Sequence, residues 1–191
     1  MAREAELILE ALDRHLRGPG RIRLLGGAAL TLGYGLDRAT EDVDLLQDDA
    51  EVQALIDTAE FGEALEATNV ELEPQGLYLT HICGPEQLIL ARGWRERCRP
   101  IALASLRNLR LEVLGPADLI ISKLARADDG DLRDMEYLLS SHTTVAQVEA
   151  LLPSLVVPEI FAESWPRAKA ALSLLLDRLS ELEPMRRSHP L

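Results

Sequence analysis

Apolar residues recur at helical spacing from the start of the chain. Ala5, Ile8, Leu9, Leu12 and Leu16 fall three or four apart and share one helix face. Gly18-Pro19-Gly20 predicts the end of that helix, because glycine tolerates the cap conformation and proline cannot continue it. In RIRLLGG, Ile22, Leu24 and Leu25 predict a short strand that breaks at Gly26-Gly27. AALTLGYGL predicts a short helix ended near Gly33 and Gly35, and DVDLL, residues 42–46, a second strand. DDAEVQALIDTAEFGEALEA predicts a helix with Asp48 or Asp49 at its N-cap. NVELEP and GLYLTHI predict two more strands, joined by a Pro-Gln-Gly turn.

The pattern then changes. Residues 84–100 read as irregular, and LRLEVL alternates as a further strand. GPADLIISKLARA predicts a helix starting at Pro116, a residue suited to the first turn. DGDLRDMEYLLSS and TTVAQVEALLPSL predict two more helices. The last, ESWPRAKAALSLLLDRLSELEP, carries Leu172, Leu175, Leu176 and Leu179 on one face. Strands mixed with helices, followed by helices, predict an α+β class: a mixed sheet flanked by helices with a helical C-terminal portion. The expected division is a core over residues 1–114 and a helical portion over 115–191 packed on it.

Charge narrows the function. The formal net charge is −12, so coating of bulk nucleic acid is not expected, although a locally basic pocket is compatible with it. Only 4% of residues are aromatic, few for stacking platforms that grip single strands. An acidic chain does suit carboxylates that hold a divalent cation. Arg92, Arg95, Arg97 and Arg99 form a basic segment that could gather an anionic substrate or simply be a solvated loop. Cys83 and Cys98 are the only cysteines, which predicts reduced thiols rather than a disulfide framework. The amphipathic start does not read as a signal peptide, and no apolar run reaches the ~20 residues of a membrane span. The expected location is the cytoplasm, with no membrane partner.

The chemistry concentrates in RATEDVDLL. Side chains alternate along a strand, so Asp42 and Asp44 share a face and could hold one or two divalent cations. Mg²⁺ (or Mn²⁺) prefers such hard oxygens and also takes substrate phosphate oxygens. Gly26-Gly27, about fifteen residues earlier, would let a triphosphate approach the backbone at the N-terminus of the following helix. Each part alone is common. An Asp-x-Asp strand can be only a polar sheet face, and a Gly-Gly turn can be purely structural.

The combination resembles the nucleotidyltransferase superfamily that includes DNA polymerase β. GGAALTLGYGLDRATEDVDLL is similar to the signature of AbiEii-type and related prokaryotic nucleotidyltransferase-like proteins, many of them from toxin–antitoxin or phage-defence systems. LARGWRERCRPI followed by LRLEVLGPADLIISKLARADDGDLRDMEYLL resembles uncharacterised bacterial members of that group, so the likeness runs from about Arg23 to Leu139. The resemblance implies that Gly26 and Gly27 contact the triphosphate of an NTP and that Asp42 and Asp44 bind metal. Arg38 and Thr40 would brace the loop or touch phosphate. Lys123 and Arg126 would neutralise charge, with Asp131 and Asp134 in support. Plainer readings stand beside these. Lys123 could snorkel from an apolar helix, Arg38 could pair with Glu41 or Asp42, and Asp131 and Asp134 could be a helix-start charge pair.

One expected part is missing. The superfamily normally adds a third carboxylate from a neighbouring strand, but GLYLTHI offers Thr80 and His81 there. His81 could serve as base or ligand, or be an ordinary strand residue. Two functions follow from the resemblance. One is Mg²⁺-dependent transfer of NMP from an NTP to an acceptor hydroxyl on a protein, an RNA or a small molecule. The other is a catalytically degenerate binding module or antitoxin that seats a protein partner. An unrelated α+β protein with a merely polar Asp-x-Asp face is the remaining alternative.

Overall fold

The computed structural model describes residues 3–40, 42–47, 50–124, 126 and 128–187; of residues 50–51, 80–81 and 178–187 the backbone alone is described. The chain divides into two compact units. The first takes residues 1–85 and 95–115, the second 86–94 and 116–191. Residues 86–94, expected within the first portion, therefore group with the helical second unit.

The first unit opens with α1 (Arg3–His15), β1 (Gly20–Leu25), α2 (Gly26–Tyr34) and β2 (Asp42–Leu46). The helices α3 (Ala50–Ile56) and α4 (Ala59–Leu72) lead into β3 (Tyr78–Cys83). After an excursion through β4 (Leu90–Ala91) of the second unit, β5 (Arg99–Ile101) and β6 (Leu109–Val113) complete it. The sheet order is β3-β2-β1-β6-β5. It is mixed: β1 runs antiparallel to β2 and parallel to β6, β2 parallel to β3, and β5 antiparallel to β6.

Alternation sorts the two faces of this sheet. Ile22, Leu24, Val43, Leu45, Leu111 and Val113 are buried on one side. The helix α1 packs against α4 and contributes Ala5, Ile8, Leu9 and Leu12, all fully buried. Each of the isoleucine and leucine side chains contributes about 1.5–3 kcal/mol by leaving water. The opposite sheet face carries Arg21, Arg23, Asp44, Arg110 and Glu112, as the strand registers require.

Two expectations need correction. NVELEP is not a strand: α4 runs through it to Leu72. Phe61, Ala64, Thr68 and Leu72 are buried at helical spacing, whereas Val70 is exposed. Burial of that one stripe outweighs the local alternation of Val70 and Leu72. The Pro-Gln-Gly turn therefore joins a helix to β3. The helix expected over residues 48–67 is broken into two, because the Thr58 hydroxyl accepts the Phe61 N–H and starts α4 afresh. Asp48 and Asp49, the expected caps, lie outside the described residues.

At its outer edge, β3 is bonded by a side chain. The Asn69 amide donates to the Leu79 carbonyl at 3.1 Å and accepts the Leu79 N–H at 2.8 Å, as a neighbouring strand would. Asp13, near the end of α1, accepts the backbone N–H groups of Arg107, Asn108 and Leu109 at 2.7–2.9 Å and so anchors the start of β6.

The second unit holds α5 (Pro116–Lys123), α6 (Asp129–Ser141), α7 (Val145–Leu151), β7 (Leu155–Val156) and α8 (Trp165–Arg187), with β7 pairing antiparallel to β4. A sequence pattern read as helices alone did not foresee this short strand pair. Leu119, Ile120 and Ile121 of α5, Met135 and Leu138 of α6, Val148 of α7 and Leu172 of α8 are buried. The helix α7 starts with a capping box between Thr144 and Gln147.

Candidate active site

The site is built where β1 ends. Leu25 closes the strand, and the chain turns at once into α2. Gly26 permits this, with a φ of 57° that other residues adopt only under strain. Leu25 stands at the N-cap without a side-chain cap bond, so this position supplies no oxygen to the first N–H groups of α2. Those groups sit at the positive end of the helix dipole, where an anion is favoured.

The glycines are needed for proximity as well as for shape. A Cβ on Gly26 would lie 2.6 Å from Asp44 Oδ2. A Cβ on Gly27 would lie 2.7 Å from Thr40 Oγ1 and 3.3 Å from an Arg38 guanidinium nitrogen. Strand pairing explains the first contact, since Leu25 and Asp44 are register partners in the antiparallel β1–β2 pair. Thr40 is buried, and its hydroxyl lies 3.1 Å from the Asp42 carbonyl and 3.2 Å from Asp42 Oδ1 as their donor. Gly26, Gly27, Arg38, Thr40, Asp42 and Asp44 thus form one contiguous patch of the first unit.

In β3 the register shifts between Val43 and Asp44: Val43 pairs with Leu79, and Asp44 with His81, passing over Thr80. The side chains of Thr80 and His81 lie outside the description, as does Glu41. The backbone gives His81 the register position opposite Asp44. Among the described residues, no group of three His, Cys, Asp or Glu side chains is arranged to hold a metal ion. Asp42 and Asp44 are nonetheless a hard-oxygen pair of the kind Mg²⁺ uses together with substrate phosphates and water.

Lys123, Arg126, Asp131 and Asp134 lie in the second unit and bond one another. Lys123 Nζ is 2.9 Å from Asp131 Oδ1 and 2.8 Å from Asp134 Oδ2, with all three side chains buried. The Arg126 guanidinium clamps both Asp131 oxygens at 2.8–2.9 Å. Burial would raise the Asp131 carboxyl, but the bonds and charges of Arg126 and Lys123 win and hold it below its ordinary value. Asp128 caps α6 by accepting the Asp131 N–H at 2.8 Å.

Arg23 and Glu112 were missed by the sequence reading. Arg23 is 3% exposed, and its guanidinium lies 2.8 Å from Glu112 Oε2. The signal was present: Arg21 and Arg23 alternate with Ile22 and Leu24, and Arg110 and Glu112 with Leu109 and Leu111.

A mixed sheet flanked by helices, with an Asp-x-Asp strand beside one that runs into Gly-Gly and a short helix, defines a nucleotidyltransferase-like fold. The chain belongs to a family of nucleotidyltransferases of unknown function, DUF6036, whose model matches residues 3–163. No curated protein and no solved structure matches it. No described helix is long and apolar enough to cross a membrane.

Proposed function

We propose that this chain is a Mg²⁺-dependent nucleotidyltransferase that moves NMP from an NTP to an acceptor hydroxyl on a protein, an RNA or a small molecule. The observation that carries this reading is the contact of Gly26 with Asp44, which sets the N-terminus of α2 directly beside a carboxylate. Phosphate oxygens drawn to that helix end lie next to the metal ligands Asp42 and Asp44. A bound Mg²⁺, or Mn²⁺, would neutralise phosphate charge and favour loss of the acceptor proton.

The chain's own residues do the rest. Gly26 and Gly27 leave room for the triphosphate, Arg38 beside Gly27 offsets its charge, and Thr40 holds the Asp42 carboxylate in place. The acceptor oxygen attacks the α-phosphorus, the bond to the bridging oxygen breaks, and pyrophosphate leaves. His81, at the register position opposite Asp44, is the candidate base for the acceptor proton. This reading assigns Lys123 and Arg126 to no step, since both are committed to Asp131. The AbiEii-type resemblance adds a toxin–antitoxin or phage-defence setting.

Thermal denaturation tests it. Saturating Mg²⁺–NTP raises the melting temperature of the wild type, as any ligand of the native state does, and leaves Asp42→Ala/Asp44→Ala unmoved. Equal responses from the two proteins would exclude a metal–nucleotide site at these aspartates.

A second reading, a binding module or antitoxin, is favoured by the exposed apolar side chains Val156, Ile160 and Leu174 of the second unit. Light scattering on the eluting protein tests it, and a monomer that co-purifies with no partner counts against it.

A further inference from the structure

The helix that starts at Gly26 is anchored at its far end by Arg99, the last arginine of the basic segment 92–99. The helix α2 has nine residues and spans about 13 Å. Its first turn lies against Asp44 and Thr40, and its last residue is Tyr34. Tyr34 is 3% exposed, and its hydroxyl donates to the Leu114 carbonyl at 2.5 Å. The Arg99 guanidinium lies over the Tyr34 ring, 4.8 Å from its centroid. Its Nη2 also donates to the Gly33 carbonyl, at 3.5 Å.

Strand pairing puts Arg99 there. In the antiparallel β5–β6 pair, Arg99 is the register partner of Val113, so the two share a sheet face. Gly33 lies against Val113, because a Cβ on it would be 2.9 Å from Val113 Cγ2. The last turn of α2 therefore rests on Val113, and Arg99 reaches it from the edge strand β5. The Gly33 carbonyl is one of the last four of the helix, which have no partner within it. A cation at this end also matches the negative pole of the helix dipole.

We propose that Arg99 is a positioning residue of the nucleotide site, acting through Tyr34 and α2. The inference rests on the nucleotidyl-transfer reading, in which phosphates meet the first turn of α2. The length of the helix separates Arg99 from those phosphates. That length exceeds the Debye length of ~8 Å at physiological salt, so the exposed charge of Arg99 is largely screened from them. Its effect is mechanical. A helix this short is marginal by itself and is held in place by tertiary contacts. Loosening its last turn lowers the fraction of molecules whose first turn is seated to bind, and apparent affinity falls with that fraction. Arg99 is thus neither a collector of anionic substrate nor an idle solvated side chain.

The test follows the melting temperature of the full chain against an equimolar mixture of the four Mg²⁺–NTPs, read as the half-saturating concentration. Arg99→Gln raises that concentration about two- to fivefold, the scale of an exposed cation–π contact. Arg99→Lys keeps a cation over the ring and stays within about twofold of the wild type. Arg110→Gln removes the same charge from another exposed arginine, on β6, and leaves half-saturation unchanged. In a Tyr34→Leu background, Arg99→Gln adds no further loss, because the residue through which it acts is gone. Arg99 is exposed, so Arg99→Gln keeps the fold and, beside Arg110→Gln, decides the matter should Tyr34→Leu fail to fold. Equal half-saturation in the wild type and Arg99→Gln overturns this inference alone. So does an equal loss in Arg110→Gln, which makes net charge the cause, and so does full additivity with Tyr34→Leu. A wild type that the Mg²⁺–NTP mixture does not stabilise overturns the transfer reading, and the positioning role falls with it.

Discussion

Gly26 and Asp44 touch so closely that a single methyl group does not fit between them. A Cβ at position 26 would lie 2.6 Å from Asp44 Oδ2, and the Gly26 φ of 57° already disfavours any side chain. The loop that turns strand into helix and the carboxylate on the neighbouring strand are therefore built to one another's shape. A triphosphate and a metal held by this pair would share the same small volume.

Gly26→Ala tests that fit. Left-handed backbone and the contact together cost about 1–3 kcal/mol, read as a lower denaturation midpoint. The variant also pushes the Asp44 carboxylate aside, so its Mg²⁺–NTP melting shift is lost. Gly18→Ala is the control: a Cβ there meets nothing within 4 Å, and its stability stays within about 0.5 kcal/mol of wild type.

Thr40→Val removes the hydroxyl that bonds Asp42 while keeping the buried shape. Loss of one such bond costs about 1 kcal/mol. The larger effect falls on Mg²⁺–NTP stabilisation, because the Asp42 carboxylate loses its positioning donor. Thr40→Ser retains the hydroxyl and restores the shift, which separates positioning from simple packing.

Glu112→Gln weakens the hold on Arg23, whose side chain is 3% exposed. Chemical denaturation should report a loss of about 1–3 kcal/mol, the cost of an under-satisfied buried group. An unchanged midpoint would mean that Arg23 is held well enough by its other contacts.

Lys123→Met leaves Asp131 and Asp134 buried beside each other without their shared cation. Removing one partner of such a buried cluster costs about 3–5 kcal/mol, enough to lower the melting temperature by many degrees.

Acid sensitivity follows from Asp13 and Asp131. Burial raises both carboxyls, but stronger opposing contacts hold them below their ordinary value of 3.8: the N–H groups of Arg107, Leu109 and Asn108 for Asp13, and Arg126 and Lys123 for Asp131. A depressed carboxylate contributes stability that is fully present above the unfolded value. That stability is lost as pH falls below about 3.8 and through the folded value. Melting temperature should therefore fall steeply on acidification below pH 4. Asp13→Asn and Asp131→Asn lower stability at neutral pH and flatten that acid limb, and an acid limb unchanged in both variants would exclude these residues as its source.

Local chemistry decided much of this protein. The α1 stripe, the strand at Ile22–Leu25, the Asp-x-Asp strand and the helix start at Pro116 are readable because each depends on periodicity or on the conformational preference of a single residue. The Gly-Gly and Asp-x-Asp signals are each local, and it is their order along the chain that resembles the nucleotidyltransferase superfamily. NVELEP misled because six residues cannot reveal which face will be buried; packing of α4 against α1 settled that Leu72 turns inward and Val70 outward.

Other features needed tertiary structure. The register shift that sets His81 opposite Asp44 depends on how two strands distant in sequence pair, and no local signal encodes it. The pairing of Arg23 with Glu112 joins residues 89 positions apart. The commitment of Lys123 to Asp131 and Asp134 follows from the way α5 meets α6. Sequence alone determined where the paired carboxylates, the glycine pair and the candidate cations lie along the chain, because composition and local spacing are written there. Only the fold decided which charges neutralise one another, as Lys123 does Asp131 and Asp134, because electrostatic partners are chosen by proximity in space.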